Sequence, residues 1–251
     1  MKKHEDLPVK VATADNATFI ALITTDGDYI VRGTYNVRNN LKQFLSLILP
    51  ADAQLWSLFV NGRPAKPGKG DDDKVLIPME KSRGGQEATT FPVELVYFCD
   101  GNDLGAFGNR KLKLPKVDIP VSVLSLSLYL PYGYTYTSFG GNMEFAEYLT
   151  KPPVADEEVE VEEYAPVAKK KAMQMKQMLE AQVQYEQDMT KTVQTFTATD
   201  KGVFPVRISI PQVGLVRRFQ KFIVPEDEDS SFPQVHIRYT KKGIKGILIL
   251  V

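Results

Sequence analysis

Val121-Ser-Val-Leu-Ser-Leu-Ser-Leu-Tyr-Leu130 decides the fold class. Apolar residues alternate with serine for most of its length, the period-two pattern of a strand with one face in a core and the other toward water. The same grammar recurs on both sides. Asn16 to Thr25 is β-branched and apolar, Asp26-Gly-Asp28 supplies turn formers, and Tyr29 to Val37 resumes the extended pattern, so a hairpin is expected. Phe44 to Leu49 ends at Pro50. Gln54 to Val60 runs into Asn61-Gly62, a dipeptide that tolerates positive φ, and Val75 to Pro78 is expected as the return strand. Phe91 to Phe98 is a further apolar strand.

Asp100-Gly-Asn-Asp-Leu-Gly105 interrupts the pattern, and a domain boundary is placed there. Leu112, Leu114, Val117 and Ile119 open a second β-rich region. Pro152-Pro153 leads into six acids between Asp156 and Glu163, which reads as a solvated linker. Ala168 to Phe196 has no Gly or Pro and is rich in Lys, Met, Gln, Glu and Ala, so it predicts a long helix with Met175, Met178 and Met189 on its apolar stripe. β pattern returns in Phe204 to Ile210, Val216 to Val224 and Val235 to Tyr239. The expected architecture is mainly β: a β-sandwich-like domain over 1–103 and a second over 104–251. The acidic linker and long α-helix are inserted in the second at about 152–196.

The scarce residues exclude whole classes of chemistry. Among 251 residues, 43% are hydrophobic and 25% charged, with 31 Lys plus Arg against 31 Asp plus Glu. No overall positive field gathers nucleic acid, and none is expected as a partner. Cys99 is the only cysteine, which excludes an intrachain disulfide or thiolate cluster; at the end of an apolar strand it reads as a buried thiol. Of the two histidines, His4 lies in a polar N-terminal stretch and His236 within an alternating strand, where an outward surface position is expected. Gly62 to Gly70 lacks the Lys-Ser/Thr ending and following helix of a phosphate loop, and reads as a turn. Asp71-Asp72-Asp73 and Glu226 to Asp229 lack the spaced ligands of a calcium loop and read as solvated loops, while Asp100, Asn102 and Asp103 form the nearest candidate for calcium. No catalytic residue, metal or cofactor is assigned.

The most distinctive local feature is Tyr129-Leu-Pro-Tyr-Gly-Tyr-Thr-Tyr-Thr-Ser-Phe139. On an extended strand, Tyr132, Tyr134 and Tyr136 project from one side, an amphipathic face suited to a protein partner, a sugar ring, or packing within the fold. The methionine stripe offers an adaptable partner surface. Near the end, Arg238 to Gly246 is basic and Ile247 to Val251 apolar, a pattern that reads either as a final strand or as the approach to a membrane anchor beyond the C-terminus.

Val37 to Leu45, Leu55 to Pro64 and Leu128 to Tyr134 together resemble the C-terminal β-rich region of large, uncharacterised bacterial envelope proteins. The resemblance implies sandwich modules near a membrane and supplies no catalytic residues. The expected function is a noncatalytic structural or protein-interaction module of a larger, membrane-associated envelope protein. Its partner would be another protein or a neighbouring domain of the same parent chain. The alternative is a carbohydrate-binding module using the aromatic face.

Overall fold

The computed structural model describes residues 11–82, 89–146, 207–226 and 231–243. All described secondary structure is β. The strands are β1 (Ala12–Ile23), β2 (Tyr29–Asn39), β3 (Phe44–Ile48), β4 (Ala53–Val60), β5 (Arg63–Pro64), β6 (Gly68–Lys69), β7 (Val75–Pro78) and β8 (Phe91–Cys99). They continue as β9 (Phe107–Lys113), β10 (Lys116–Val117), β11 (Val121–Leu130), β12 (Tyr134–Gly141), β13 (Glu144–Phe145), β14 (Leu215–Val224) and β15 (Gln234–Lys241). By its packing the chain divides into two units, Met1–Glu147 with Val203–Val251, and Tyr148–Gly202. Every described residue belongs to the first unit. The acidic run, the helix predicted over 168–196 and its Met175, Met178 and Met189 lie outside the described residues.

Three sheets result. The largest has the order β13-β14-β11-β1-β2-β8-β4-β5, a second β10-β3-β7-β6, and a third β12-β15-β9. β11 lies parallel to β1, from Ala14 against Val121 to Leu22 against Tyr129, while the other described pairings are antiparallel. The large sheet therefore takes strands from both sides of residue 103.

Sequence alternation becomes burial. Leu124, Leu126, Leu128 and Leu130 of β11 point inward, while Ser125 and Ser127 stand half-buried on the opposite face. Inward residues of β1, β2, β4, β8 and β11 join Leu45, Leu47 and Ile77 of the second sheet and Leu112, Val235 and Ile237 of the third in one apolar cluster. Buried tyrosines tie the layers together with their hydroxyls: Tyr97 donates to the Lys113 carbonyl at 3.1 Å, and Tyr35 to that of Pro115 at 3.5 Å. Burial alone raises the Tyr35 hydroxyl far above its ordinary range.

Two turns behave as their residues dictate. Gly27 takes φ +85° between β1 and β2, and Asn61 and Gly62 take +51° and +76° after β4. The return strand at Asn61-Gly62 is β5, however, not Val75–Pro78. β7 pairs instead with β3 and β6, in the second sheet. No described helix is long and apolar enough to cross a membrane, which says nothing of strands in a barrel.

Gly33 marks the tightest approach in the large sheet. It sits opposite Phe19, whose fully buried ring meets Tyr35 edge-on at 5.4 Å; a Cβ on Gly33 would fall 2.4 Å from that ring. Gly33→Val should lower stability by about 1–3 kcal/mol through overpacking. The check is the urea midpoint, and an unchanged midpoint would contradict the packing described.

Candidate interaction surfaces

The aromatic stretch after β11 is divided by its own geometry. Tyr132 stands half-buried in the turn before β12 rather than on the strand. Tyr134 and Tyr136 share the strand face turned toward the large sheet, while Thr135 and Thr137 are exposed. Tyr134 is buried, donates to the Leu104 carbonyl at 2.7 Å and meets Tyr239 edge-on at 5.4 Å. Burial raises its hydroxyl, as it does that of half-buried Tyr136, which donates to the Pro131 carbonyl at 2.8 Å. Periodicity showed that Tyr134 and Tyr136 are on the same side; only the topology shows which side.

A register shift between Tyr136 and Ser138 returns Phe139 to that side. Phe139 lies 6.3 Å from Tyr136, 6.5 Å from Phe145 and 5.6 Å from Phe219, with the Arg217 guanidinium 5.9 Å above its ring. Phe145 is 47% exposed. This ladder therefore begins in the core and ends in solvent at β13. Sequence reading missed Phe139, Phe145 and Phe219 because they come from three separate strands.

Beside them, among the described residues, the edge of the large sheet is only partly closed. Among the described residues, β13 pairs with Gln220 and Phe219 of β14, and the Ala146 N–H donates to the Arg218 carbonyl at 2.9 Å. Farther along β14, Phe222 is 54% and Ile223 79% exposed, and Ile223 takes φ +54°, a conformation that its β-branched side chain disfavours. Three of the seven exposed large hydrophobic residues among those described thus lie on two adjacent strands, Phe145 on the side of Phe219 and Phe222 on the opposite side. Natural sheet edges ordinarily carry charge or cover at such positions.

The outer face of the large sheet has a different character. Residues 207–213 cross it as a strap. Arg207 lies 3.6 Å from Glu94 and 5.2 Å from the centre of the Phe59 ring, Ile210 is buried, and Gln212 accepts the Tyr129 hydroxyl at 2.9 Å. Leu22, Ile30, Val96 and Phe98 are buried on that face, with Trp56 stacked on Phe98 at 4.8 Å. Glu94, on the row beside Arg32, also accepts from it at 3.0 Å, so one carboxylate holds two guanidiniums in a shallow depression lined by Ser57, Phe59 and Val96. The geometry is that of a latch.

Groups with intrinsic reactivity are quiet or apart. Cys99 is buried, and burial pushes its thiol up to about 11, with a Tyr29 hydrogen bond acting in the opposite direction. Asp28 is raised chiefly by burial, against the Gly101 N–H that it accepts at 2.8 Å. Arg110 lies on the same side of that loop. Gly68 and Lys69 are paired in β6, so the glycine-rich stretch forms a strand edge rather than an open cradle. Asp71 to Asp73 form an exposed turn with positive φ at Asp72 and Asp73. His236 stands half-buried on the outer side of β15. Among the described residues, no three His, Cys, Asp or Glu side chains are grouped to hold a metal.

No family model matches the chain, and no curated protein matches it. Among solved structures, it is similar to an M1 zinc metallopeptidase from Deinococcus radiodurans at 12% identity and a TM-score of 0.38, covering 55% of this chain and 36% of that one. A glutamate-to-alanine mutant of that enzyme gives a TM-score of 0.37 at 12% identity, with 54% and 36% covered. The mutant bound to a Tyr-Ser-Ala substrate gives 0.38 at the same identity and coverage. The match spans about a third of those enzymes. Likeness at this level transfers no chemistry.

Two outcomes follow from the buried groups. Glu94→Gln removes the anion shared by partly exposed Arg32 and Arg207 and should cost about 1 kcal/mol, with faster amide exchange at 208–212 than in the parent. The Cys99 thiol is near 8.5 in an unfolded chain and about 11 in the fold. The folded state keeps its proton across that window while the unfolded chain loses it, so this contribution to stability is full below the window and falls as pH rises through it. Cys99→Val should flatten the decline in urea midpoint between those limits, and native Cys99 should resist a disulfide reagent at pH 8 until unfolded.

Proposed function

We propose that this chain is a noncatalytic interaction module whose β13–β14 edge docks a protein partner or a neighbouring domain of the same parent chain. The observation that carries the reading is the exposure of Phe145, Phe222 and Ile223 along a sheet edge that is incompletely paired among the described residues. An added strand would satisfy the free main-chain groups, while the exposed aromatic rings would supply apolar contact. Arg217 over Phe139 gives that edge an aromatic and guanidinium pairing of the kind that dominates interface energetics.

In this reading the sheets form sandwich-like domains, and the helix predicted over 168–196, with Met175, Met178 and Met189, adds a second docking element. The resemblance to envelope proteins extends the proposal to a membrane-associated setting in the bacterial cell envelope. A glycan platform centred on Tyr132 and Tyr136 is the competing reading, and the experiment separates the two.

A photo-crosslinking residue at position 144, used in full chain expressed in its host, should give discrete protein adducts that Phe145→Ser with Phe222→Ser removes. Glycan-array binding lost on Tyr132→Ala with Tyr136→Ala, without protein adducts, would replace this reading with the carbohydrate one. Ile223→Gly should raise stability by about 1 kcal/mol by relieving the left-handed backbone while weakening adduct formation. A stability gain with unchanged adducts would remove Ile223 from the docking edge.

A further inference from the structure

The sheet formed by β12, β15 and β9 has a charge unlike that of the whole chain. Positive and negative residues balance at 31 each overall, yet these strands contain Arg110, Lys111, Lys113, Arg238 and Lys241 and no Asp or Glu. β15 runs down the middle, with Val235, Ile237 and Tyr239 buried and Gln234, His236, Arg238 and Thr240 on the outer side. Register sets the outer neighbours. Lys113 is opposite Gln234, Lys111 and Gly140 flank His236, Asn109 and Ser138 flank Arg238, and Phe107 and Thr135 flank Thr240.

Three features make this face more than a set of surface lysines. Arg238 Nε donates to Asn109 Oδ1 at 3.4 Å, which holds the guanidinium along the sheet, and Lys113 lies 5.8 Å over the Phe232 ring. Gly140 has open space where a side chain would stand, so the β12 side is low beside His236. Phe107, on the same side at the start of β9, is 72% exposed. Arg110 belongs to the opposite, inward side with buried Ile237, where it acts on Asp28 of the 26–28 loop. The outer face is thus cationic without a carboxylate on its own strands, with one aromatic ring at its rim.

We infer that this face docks on an anionic phospholipid bilayer, with Lys111, Lys113 and Arg238 against the headgroups and Phe107 in the interfacial layer. A planar target suits dispersed charges, each worth a similar increment near an anionic surface, and an exposed aromatic ring suits the headgroup boundary. A protein hot spot would call for a pocket that buries an anchor, and single-stranded nucleic acid for several stacking rings. This surface lies on the side of β12 opposite the aromatic ladder, so it stands or falls independently of the β13–β14 edge.

The test is flotation of the full chain with vesicles of phosphatidylcholine alone or with roughly one-third phosphatidylglycerol. Binding is expected only to the anionic vesicles and should weaken with salt. Lys111→Glu with Arg238→Glu should reduce it at least about tenfold, while Lys66→Glu with Lys69→Glu, an equal charge change elsewhere, should leave it within about twofold. Lys111→Gln with Arg238→Gln gives a milder version should the reversal disturb folding, and Phe107→Ser should weaken binding without altering its salt dependence. Equal binding to neutral vesicles, or equal loss from both charge-reversed pairs, would overturn the inference. So would absent vesicle binding alongside salt-sensitive binding of polyglutamate or single-stranded DNA.

Discussion

The parallel contact between β1 and β11 is the constraint on which the other arrangements depend. These strands are separated by about a hundred residues of chain, so their pairing closes a long loop before it gains any ladder hydrogen bonds. Once made, it places Phe19 and Ala21 beside Leu126 and Leu128 on one buried face. β2 and β8 then extend the sheet on one side and β14 on the other. The two smaller sheets contribute residues to the same core, which is why their short strands need no cluster of their own.

That arrangement explains what alternation disclosed and what it left hidden. Ser125 and Ser127 announced an outward face, and Asn61-Gly62 announced a turn, because both depend on local backbone geometry. The partner of β7 was not legible: Val75 to Pro78 is four residues long and fits any free edge, and its pairing with Phe44 to Leu47 of β3 is nonlocal. Tyr132 was misplaced on the strand because Pro131 and Gly133 put the turn one residue later than the aromatic period suggested. Tyr134 is a buried hydrogen-bond donor for the equally nonlocal reason that Leu104 lies beneath it.

The surfaces show the same limit in a different form. Phe139, Phe145 and Phe219 are ordinary aromatic positions in sequence, separated by loops and a whole second unit, yet their rings fall within 5.6 to 6.5 Å of each other. Neutral composition concealed the outer face of the three-stranded sheet in the same way. Net charge sums over the chain, whereas a partner meets only the residues that strand register gathers on one side.

β12 unites these two surfaces because a strand necessarily offers opposite sides to its environment. Its inward residues Tyr134, Tyr136 and Phe139 lead from the core to the exposed ring of Phe145; its outward Ser138 and Gly140 leave room beside Arg238 and His236. Enlarging Gly140 would alter the flat cationic face without touching the aromatic ladder, while truncating Phe139 would open the ladder without changing a charge. The alternation of the strand, reset once by the register shift at Tyr136 and Ser138, therefore gives one element two chemically separate faces, and it is the register against β15, not the composition of β12, that decides which residues lie on each.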